Sequence, residues 1–181
     1  MSRIKKSWNI HPDWIKAHDF YADEDCPMIV LEHPFHVGPS VRIGGLGFGY
    51  DRRTLKVKSH KYGVVVKAGA SLHSGVVIDR GQNRDTTVGP NARLNALTFV
   101  GHDVQIGRAL IMGVKSSVSG STTIGDYVQI WSHAYIEQSC EIGDRAIVGA
   151  FSHVRDRTKI SEGEVWFGNP AKFQRMRRDD E

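Results

Sequence analysis

The residues with the clearest chemical potential are a histidine and an aspartate that follow each other directly, His102 and Asp103. A histidine changes its charge near neutral pH, so it can take a proton from an attacking nucleophile. A neighbouring carboxylate can fix the tautomer of the ring and support the imidazolium that forms. The pair therefore predicts general-base catalysis. Two alternatives remain: His102 as a solvated surface histidine, and Asp103 as an ordinary turn residue.

A six-residue repeat surrounds this pair. Aliphatic residues or Met recur without a break at Val88, Leu94, Val100, Ile106, Met112, Val118, Ile124, Ile130, Ile136, Ile142, Val148, Val154 and Ile160. Four residues after each of the first twelve lies a mostly smaller or β-branched residue: Ala92, Thr98, Val104, Leu110, Ser116, Thr122, Val128, Ala134, Cys140, Ala146, Ser152 and Thr158. A period of six fits neither a 3.6-residue helix nor an ordinary hairpin sheet. It predicts a coil of short strands, in which His102 lies at an outward bend.

The repeat is interrupted in its first half. Val66, Leu72 and Ile78 keep the spacing, but the ten-residue step to Val88 predicts a loop near residues 81–86. Val37 and Ile43 indicate an earlier partial coil, which a long excursion over residues 44–63 follows. Glycine often comes directly after the large inward residue, and we expect bends with a positive φ at those glycines. The predicted organisation is an N-terminal segment (1–36), a β-helix (37–167) and a closing segment (168–181).

Composition limits the class of protein. The 181 residues suffice for one domain, and a net charge of +4 favours phosphate-bearing ligands or an acidic carrier rather than nucleic acid. The sequence shows no signal peptide and no stretch that approaches a membrane span. Cys26 and Cys140 match no metal or redox spacing, and Cys140 falls at an inward position of the repeat. We expect a reduced, cytoplasmic protein without metal and without membrane insertion.

The repeat resembles that of the hexapeptide-repeat acyltransferases, and this resemblance implies an all-β, left-handed parallel β-helix with short N- and C-terminal helical segments. Four segments in order are similar to the repeat domain of UDP-3-O-acylglucosamine N-acyltransferases of lipid A synthesis: Gly47–Tyr50, Ile78–Gly81, Asp85–Gly89 and Gly101–Gly107. His102 and Asp103, with Ile106 and Gly107, are also similar to the His–acid motif of sugar-nucleotide N-acetyltransferases. Residues 168–172 look like the motif that closes the coenzyme A side of such enzymes.

The resemblance implies a set of site residues. Gly120, one 18-residue coil beyond His102, would offer its backbone N–H to the oxyanion, although a plain turn glycine is equally consistent. Coenzyme A would contact Gly120, Gln138, Arg155, Arg157, Asn169, Pro170, Ala171 and Lys172. The acceptor would contact Phe48, Tyr50, Asp79, Asp85 and Asn95. The basic residues can also be read as a solvated tail, and the two aromatic residues as packing of the excursion.

The end of the chain carries a helix signal. Asn169 can cap a helix, Pro170 suits its first position, and residues 171–178 are expected to form a short closing helix over the end of the coil.

The implied activity is acetyl-CoA-dependent N-acetylation of an amino sugar, carried on a nucleotide, by a homotrimer with His102 as general base. Three alternatives stay open: a longer-chain N-acyltransferase of the lipid A type that uses acyl carrier protein, a sugar O-acetyltransferase, and a β-helix scaffold without catalysis. A γ-type carbonic anhydrase is excluded, because its zinc needs two histidines five residues apart and no histidine pair here has that spacing.

Overall fold

A computed structural model describes residues 21–180 of the chain. Residues 1–20, which belong to the predicted N-terminal segment, lie outside this range. All regular elements in the described range are β-strands, so the all-β prediction is confirmed and the predicted helical segments are wrong wherever the range covers them. The range contains no helix long and apolar enough to cross a membrane.

The strands are short and follow each other closely. They are β1 (Tyr21–Ala22), β2 (Ile29–Leu31), β3 (His36–Val37), β4 (Arg42–Gly45), β5 (Val64–Val66), β6 (Ser71–Leu72), β7 (Val77–Asp79), β8 (Thr86–Val88), β9 (Arg93–Leu94), β10 (Phe99–Val100), β11 (Gln105–Ile106), β12 (Ile111–Met112), β13 (Ser117–Val118), β14 (Thr123–Ile124), β15 (Gln129–Ile130), β16 (Tyr135–Ile136), β17 (Glu141–Ile142), β18 (Ile147–Val148), β19 (His153–Val154), β20 (Lys159–Ile160), β21 (Glu164–Gly168) and β22 (Ala171–Met176).

These strands form the three faces of a triangular coil. Sheet I has the order β1-β4-β7-β10-β13-β16-β19, sheet II has β2-β5-β8-β11-β14-β17-β20, and sheet III has β22-β21-β18-β15-β12-β9-β6-β3. Neighbouring strands are parallel except for the last pair in sheet III. In sheet I, Phe99 pairs with Ser117 and Ser117 with Tyr135, so one coil takes 18 residues.

The core lies inside this coil and consists of the two series that the sequence predicts. Every member of the aliphatic series from Val88 to Ile160 is buried. The second series is buried as well, apart from the half-buried Thr158. Cys140, only 1% exposed, occupies the small inward position predicted for it. The hexad frame therefore sets which side chains face inward.

The bends between faces differ from the prediction. Positive φ recurs every six residues from Asn91 to Arg157, three residues after each large inward residue. None of these positions is a glycine: Leu97, Tyr127 and Phe151, for example, have φ of 61°, 56° and 55°. Such a left-handed residue costs roughly 1–2 kcal/mol when it is not glycine. The sheet pairing of the coils on both sides imposes this turn and offsets its cost.

The glycines that follow the large inward residues have another role. A β-carbon on Gly101 would lie 2.8 Å from the Gly120 backbone nitrogen and 3.2 Å from the Val118 carbonyl oxygen of the next coil. Glycine is needed here because the backbone of the next coil approaches closely, and the predicted positive φ at this position is wrong.

Both predicted interruptions are present. One loop connects β7 to β8 over residues 80–85, and an arm of residues 46–63 leaves the coil between β4 and β5. An antiparallel bridge from Tyr50 to Val57 joins the two sides of the arm. The coil itself starts earlier than residue 37, because β1 pairs with β4 and β2 pairs with β5.

The closing helix predicted for residues 171–178 is wrong. β21 and β22 form an antiparallel hairpin instead, in which Val165 pairs with Arg175 and Gly168 with Ala171. β21 continues sheet III beside β18, and its free edge would leave backbone N–H and C=O groups unpaired. Pairing with β22 satisfies them, and this gain overrides the local capping signal at Asn169 and Pro170.

Truncation of a core residue tests the frame. Ile124→Ala should lower the free energy of unfolding by about 2–5 kcal/mol, because a buried aliphatic side chain is lost and a cavity remains. Thr123→Ala, at the adjacent outward position, should change it by less than about 0.5 kcal/mol. Urea denaturation measures both variants, and an equal effect at the two positions would contradict the frame.

Candidate active site

His102 lies at a bend between sheets I and II. Gly120, Gln138 and Asp156 occupy the same bend in the next three coils, since each is 18 residues further along the chain. We call this column of four residues the His102 corner. The His102 side chain is 21% exposed, so it is reachable from solvent while it is held on both sides.

The carboxylate of Asp103 fixes the orientation of this imidazole. His102 Nδ1 donates a hydrogen bond to Asp103 Oδ2 over 3.2 Å. With the proton on Nδ1, the other ring nitrogen, Nε2, presents a lone pair. Adjacent side chains on a strand would point to opposite faces, but Asp103 has a φ of 63°, which allows both side chains to converge.

Asp103 is itself held by the loop that the sequence predicts near residues 81–86. Its Oδ1 accepts hydrogen bonds from the backbone N–H groups of Gln82, Asn83 and Arg84 over 2.7, 2.8 and 3.1 Å. The Asn83 side-chain amide donates to Oδ2 over 3.0 Å. Burial of the carboxyl raises its pKa, but these N–H donors and His102 outweigh the burial and hold the pKa of Asp103 below its usual range. Asp103 therefore stays ionised beside the His102 imidazole.

Gly120 lies against the free side of the imidazole. A β-carbon at this position would be 2.6 Å from His102 Nε2 and 2.7 Å from Cε1. Within residues 21–180, the Gly120 N–H donates to no acceptor. The lone pair of the imidazole and a free backbone donor thus lie next to each other at one point of the corner.

A second group of polar side chains reaches His102 from the other side. A β-carbon on Gly47 would lie 3.1 Å from His102 Cδ2, 3.1 Å from His60 Nε2 and 3.3 Å from Asp79 Oδ2. The rings of His60 and His102 are perpendicular, with centroids 5.6 Å apart. His60 and Asp79 are only 7% and 6% exposed. Asp79 belongs to the predicted acceptor-binding set, whereas His60 matches no sequence motif and comes to the site only because the arm folds back.

Burial gives Asp79 an unusual acidity. It raises the pKa of this carboxyl from 3.8 to about 7, and the positive charge of Arg42 opposes that rise only in part. Burial likewise lowers the pKa of His60, with His102 and Arg80 adding to the effect and the Lys58 carbonyl opposing it. Asp79 and His60 are therefore held in their neutral forms near pH 7 more than exposed groups would be.

Of the other residues predicted to bind the acceptor, two lie on the arm and two lie elsewhere. Phe48 is 90% exposed on the arm, and its ring lies 5.0 Å from that of Tyr50. Asp85 instead closes the base of the arm, where its carboxylate accepts a hydrogen bond from the Gly63 N–H over 2.7 Å. Asn95 lies at the bend between sheets III and I, away from the His102 corner of the same chain.

The predicted donor-binding residues form two groups. Gln138, Arg155 and Arg157 are exposed on or beside the His102 corner, and Arg157 makes an ion pair with Asp156 over 3.2 Å. Asn169, Pro170, Ala171 and Lys172 lie at the turn of the final hairpin and at the start of β22.

A hydrogen-bond chain that sequence reasoning missed joins these two groups. His153 Nδ1 lies 3.3 Å from Asn169 Oδ1, and His153 Nε2 lies 2.5 Å from Glu137 Oε1. The second oxygen of Glu137 accepts the backbone N–H of Asp156, at the His102 corner, over 2.9 Å. His153 faces outward in sheet I, and its sequence context gave no signal of this contact.

No group of three or more His, Cys, Asp and Glu side chains in residues 21–180 is arranged to hold a metal ion. The geometry at the corner is that of a base and a hydrogen-bond donor at the surface of a coil.

Comparison with known proteins identifies the repeat. Residues 121–156 match the family of bacterial transferase hexapeptide repeats. A UDP-3-O-acylglucosamine N-acyltransferase from Methylorubrum extorquens is 33% identical over 139 residues, which are 75% of this chain and 39% of the relative. The corresponding enzyme from a Caulobacter strain is 34% identical over 109 residues, 60% of this chain and 32% of that protein. The chain thus spans about a third to two fifths of the length of these relatives.

Solved structures show the same fold. An Arabidopsis UDP-N-acetylglucosamine acyltransferase superimposes with a TM-score of 0.77 at 18% identity, covering 86% of this chain and 53% of that one. A hexapeptide transferase family protein from Anaplasma phagocytophilum superimposes with a TM-score of 0.70 at 16% identity, covering 91% of this chain and 87% of that one. A perosamine N-acetyltransferase from Caulobacter crescentus superimposes with a TM-score of 0.51 at 27% identity, covering 81% of this chain and 57% of that one. It was solved as a His-to-Asn mutant with coenzyme A and GDP-perosamine.

The chain therefore folds as a left-handed parallel β-helix, and its residues 121–156 carry the hexapeptide repeat. Its homologues are named UDP-3-O-acylglucosamine N-acyltransferases, and its structural neighbours include sugar acetyltransferases.

The raised pKa of Asp79 gives a stability test. The folded chain keeps this proton up to about pH 7, whereas the unfolded chain releases it near the ordinary value of 3.8. Folding therefore takes up a proton between these values, and stability falls as the pH rises through this window. Asp79→Asn removes the ionisation, so its Tm relative to the wild type should increase from pH 5 to pH 8. Since a pKa change of one corresponds to about 1.4 kcal/mol, the relative gain is on the order of a few kcal/mol.

The exposed carboxylate Glu162 provides the control for this measurement. Glu162→Gln should follow the wild-type Tm at every pH in differential scanning calorimetry. A Tm difference for Asp79→Asn that stays constant from pH 5 to pH 8 would rule out a proton on Asp79 in the folded chain.

Proposed function

We propose that this protein is an acyltransferase that moves an acyl group from a thioester to the amino group of a nucleotide-linked sugar, with His102 as general base. The observation that carries this proposal is the arrangement around one imidazole. Its Nδ1 is paired with an ionised Asp103, and its Nε2 lies beside Gly120, whose backbone N–H donates to no acceptor within residues 21–180. Acyl transfer needs a base and an oxyanion donor next to each other.

The reaction can be written on these groups. The acceptor nitrogen attacks the thioester carbonyl while His102 Nε2 takes a proton from it. The carbonyl oxygen becomes negative in the tetrahedral intermediate, and the Gly120 N–H donates to it. The carbon–sulfur bond then breaks, and the imidazolium returns its proton to the leaving thiolate. Asp103 stabilises the imidazolium between these two steps.

The names of the relatives support a sugar nucleotide as acceptor. The curated relatives are named for a UDP-linked acylglucosamine, and the perosamine N-acetyltransferase was solved with GDP-perosamine. The arm beside His102 suits such a ligand. It exposes the Phe48 and Tyr50 rings and carries lysines at positions 56, 58 and 61. Aromatic rings stack on bases, and basic side chains bind phosphates.

We assign coenzyme A as the thioester carrier, with acetyl as the first acyl group to test. The neighbour solved with coenzyme A supports this assignment. Gln138, Arg155 and Arg157 continue the His102 corner towards the end of the coil, and Lys172 follows the hairpin turn that His153 contacts. The names of the curated relatives favour a second candidate, transfer of a longer acyl chain as in lipid A synthesis, for which acyl carrier protein is the alternative carrier.

Substitutions at the His102 corner test the mechanism. His102→Ala should lower kcat on an amino-sugar nucleotide by roughly 10²- to 10⁴-fold, the usual effect of losing a general base. Its coenzyme A affinity should stay close to that of the wild type, because the base touches the acceptor nitrogen and not the phosphates. Gly120→Ala should lower kcat as well, since its β-carbon would occupy the space 2.6 Å from His102 Nε2. Release of free thiol from acetyl-CoA measures kcat, and titration calorimetry measures affinity.

The exposed His33, at the bend between sheets II and III, supplies the control. His33→Ala should keep wild-type kcat. Turnover of an acyl carrier protein thioester without turnover of acetyl-CoA would replace the donor assignment, and wild-type kcat in His102→Ala would remove His102 as the base. Acylation of hydroxyl sugars alone would make the protein an O-acyltransferase.

We also propose that the protein assembles as a homotrimer with threefold symmetry. Large side chains are exposed along the bend between sheets III and I: Leu97 is 55%, Trp131 is 47% and Phe151 is 72% exposed, and His133 stacks on Phe151 with centroids 4.7 Å apart. An apolar stripe of this kind suits a contact between identical chains.

Light scattering coupled to size exclusion should give three times the chain mass of 20.2 kDa. Phe151→Glu should shift the protein to smaller species, because a charge enters the apolar stripe. Tyr127→Glu, at another bend and 51% exposed, should leave the trimer intact. A stable wild-type monomer at micromolar concentration would contradict this assembly.

A further inference from the structure

Acylation of an amine releases one more proton than His102 can dispose of. The acceptor reaches the site mostly as an ammonium, and the balanced reaction is R–NH₃⁺ + R′CO–SR″ → R′CO–NHR + R″–SH + H⁺. His102 carries one proton from the nitrogen to the sulfur. The other proton must leave the ammonium before the attack, since a protonated nitrogen has no lone pair. The site therefore needs a second proton acceptor, and this requirement rests on the proposed N-acyl transfer.

Asp79 is in the right place for this acceptor. Its Oδ2 and the His102 ring edge are both within 3.3 Å of the point where a Gly47 β-carbon would lie. No donor in residues 21–180 hydrogen-bonds its carboxyl group. A buried carboxylate without donors is a poor anion and a good proton acceptor.

His60 can stabilise the proton once Asp79 has taken it. His60 Nδ1 lies 2.8 Å from the Lys58 carbonyl oxygen, so Nδ1 donates and a neutral His60 has its lone pair on Nε2. This Nε2 is buried, has no hydrogen-bond partner among residues 21–180, and lies 3.1 Å from the position of a Gly47 β-carbon. A buried acceptor without a donor destabilises the folded chain. A protonated Asp79 facing Nε2 supplies the missing donor.

We propose that Asp79 takes the first proton from the acceptor ammonium, with His60 positioning the protonated carboxyl, and that His102 takes the second proton during the attack. The ammonium N–H bond breaks and an Asp79 O–H bond forms, which leaves a neutral amine with a lone pair. Asp79 returns its proton to solvent after the product leaves. A hydroxyl acceptor has a single proton, which His102 passes to the thiolate, so only amine acylation requires the second acceptor.

The charges that face Asp79 fit this role. Arg42 approaches from β4, and Arg80 is the next residue in the chain, where the loop after β7 begins. His60 approaches from the arm, and His102 with the ionised Asp103 follows β10. The pKa of about 7 that burial gives Asp79 allows it to take up and release a proton near neutral pH.

The pH dependence of kcat/KM tests the proposal. Asp79→Asn should lower kcat/KM roughly 10- to 100-fold at pH 7.5, where Asp79 is largely ionised and the acceptor is still largely an ammonium, and should approach the wild type by pH 9, where the amine is free on its own. His60→Leu should show the same profile in weaker form. His60→Gln should recover part of the loss, because its amide oxygen can accept the Asp79 proton. Glu141→Gln, an exposed carboxylate on sheet II, should keep the wild-type profile.

The outcomes separate the two proposals. If the folded wild type transfers no acyl group to any amino-sugar nucleotide, the proposed function fails and this inference fails with it. If the wild type does so and Asp79→Asn follows its pH profile, the role of Asp79 is overturned while the proposed function stands. An equal loss at every pH, with raised KM and unchanged kcat, would make Asp79 a binding residue and would also overturn the proposal. Melting temperatures of all variants confirm that each one is folded.

Discussion

The whole structure depends on the return of the chain to the same place every 18 residues, one strand spacing of about 4.8 Å further along the axis. Parallel pairing on three faces forces every bend to turn within a few residues, even where Leu97 or Phe151 must adopt a left-handed backbone conformation. The same spacing brings the backbone of one coil against the bend of the next. Gly120 therefore lies directly against His102, and the imidazole occupies the space that a side chain at this position would fill.

Asp103 connects this repetitive frame to the irregular part of the chain. Its buried carboxylate accepts three backbone N–H groups of the loop over residues 80–85 and also the Nδ1–H of His102. The loop would otherwise leave these N–H groups unpaired close to the core, which is costly. One ionised group thus holds the loop against the coil and selects the tautomer of the His102 imidazole. The loop over residues 80–85, which interrupts the hexad frame, is therefore part of the candidate active site.

The sequence predicted those parts of the structure that depend on periodicity. The inward residues from Val88 to Ile160 and the two interruptions follow from spacing alone, whereas the 18-residue step from His102 to Gly120 came from the resemblance to hexapeptide-repeat acyltransferases. The contacts of His60 and His153 do not, because each depends on a segment that leaves the frame: the arm for His60, and the final hairpin for His153. The helix expected after Asn169 failed for the same reason, since the free edge of sheet III decided the conformation there.

Two carboxyl groups near one histidine differ because of their hydrogen-bond partners. Asp103 is 2% exposed and Asp79 is 6% exposed, so burial alone would make both reluctant to ionise. Backbone N–H groups surround Asp103 and lower its pKa, whereas Asp79 has only the distant positive charge of Arg42 and its pKa rises to about 7. When the surroundings of two neighbouring acids give them different pKa values, the two acids can have different chemical roles. Asp103 can act as a permanent anion that supports an imidazolium, and Asp79 can exchange a proton near neutral pH. Together with His102, these two carboxyl groups can in this way manage two protons, which acylation of an amine requires and acylation of an alcohol does not.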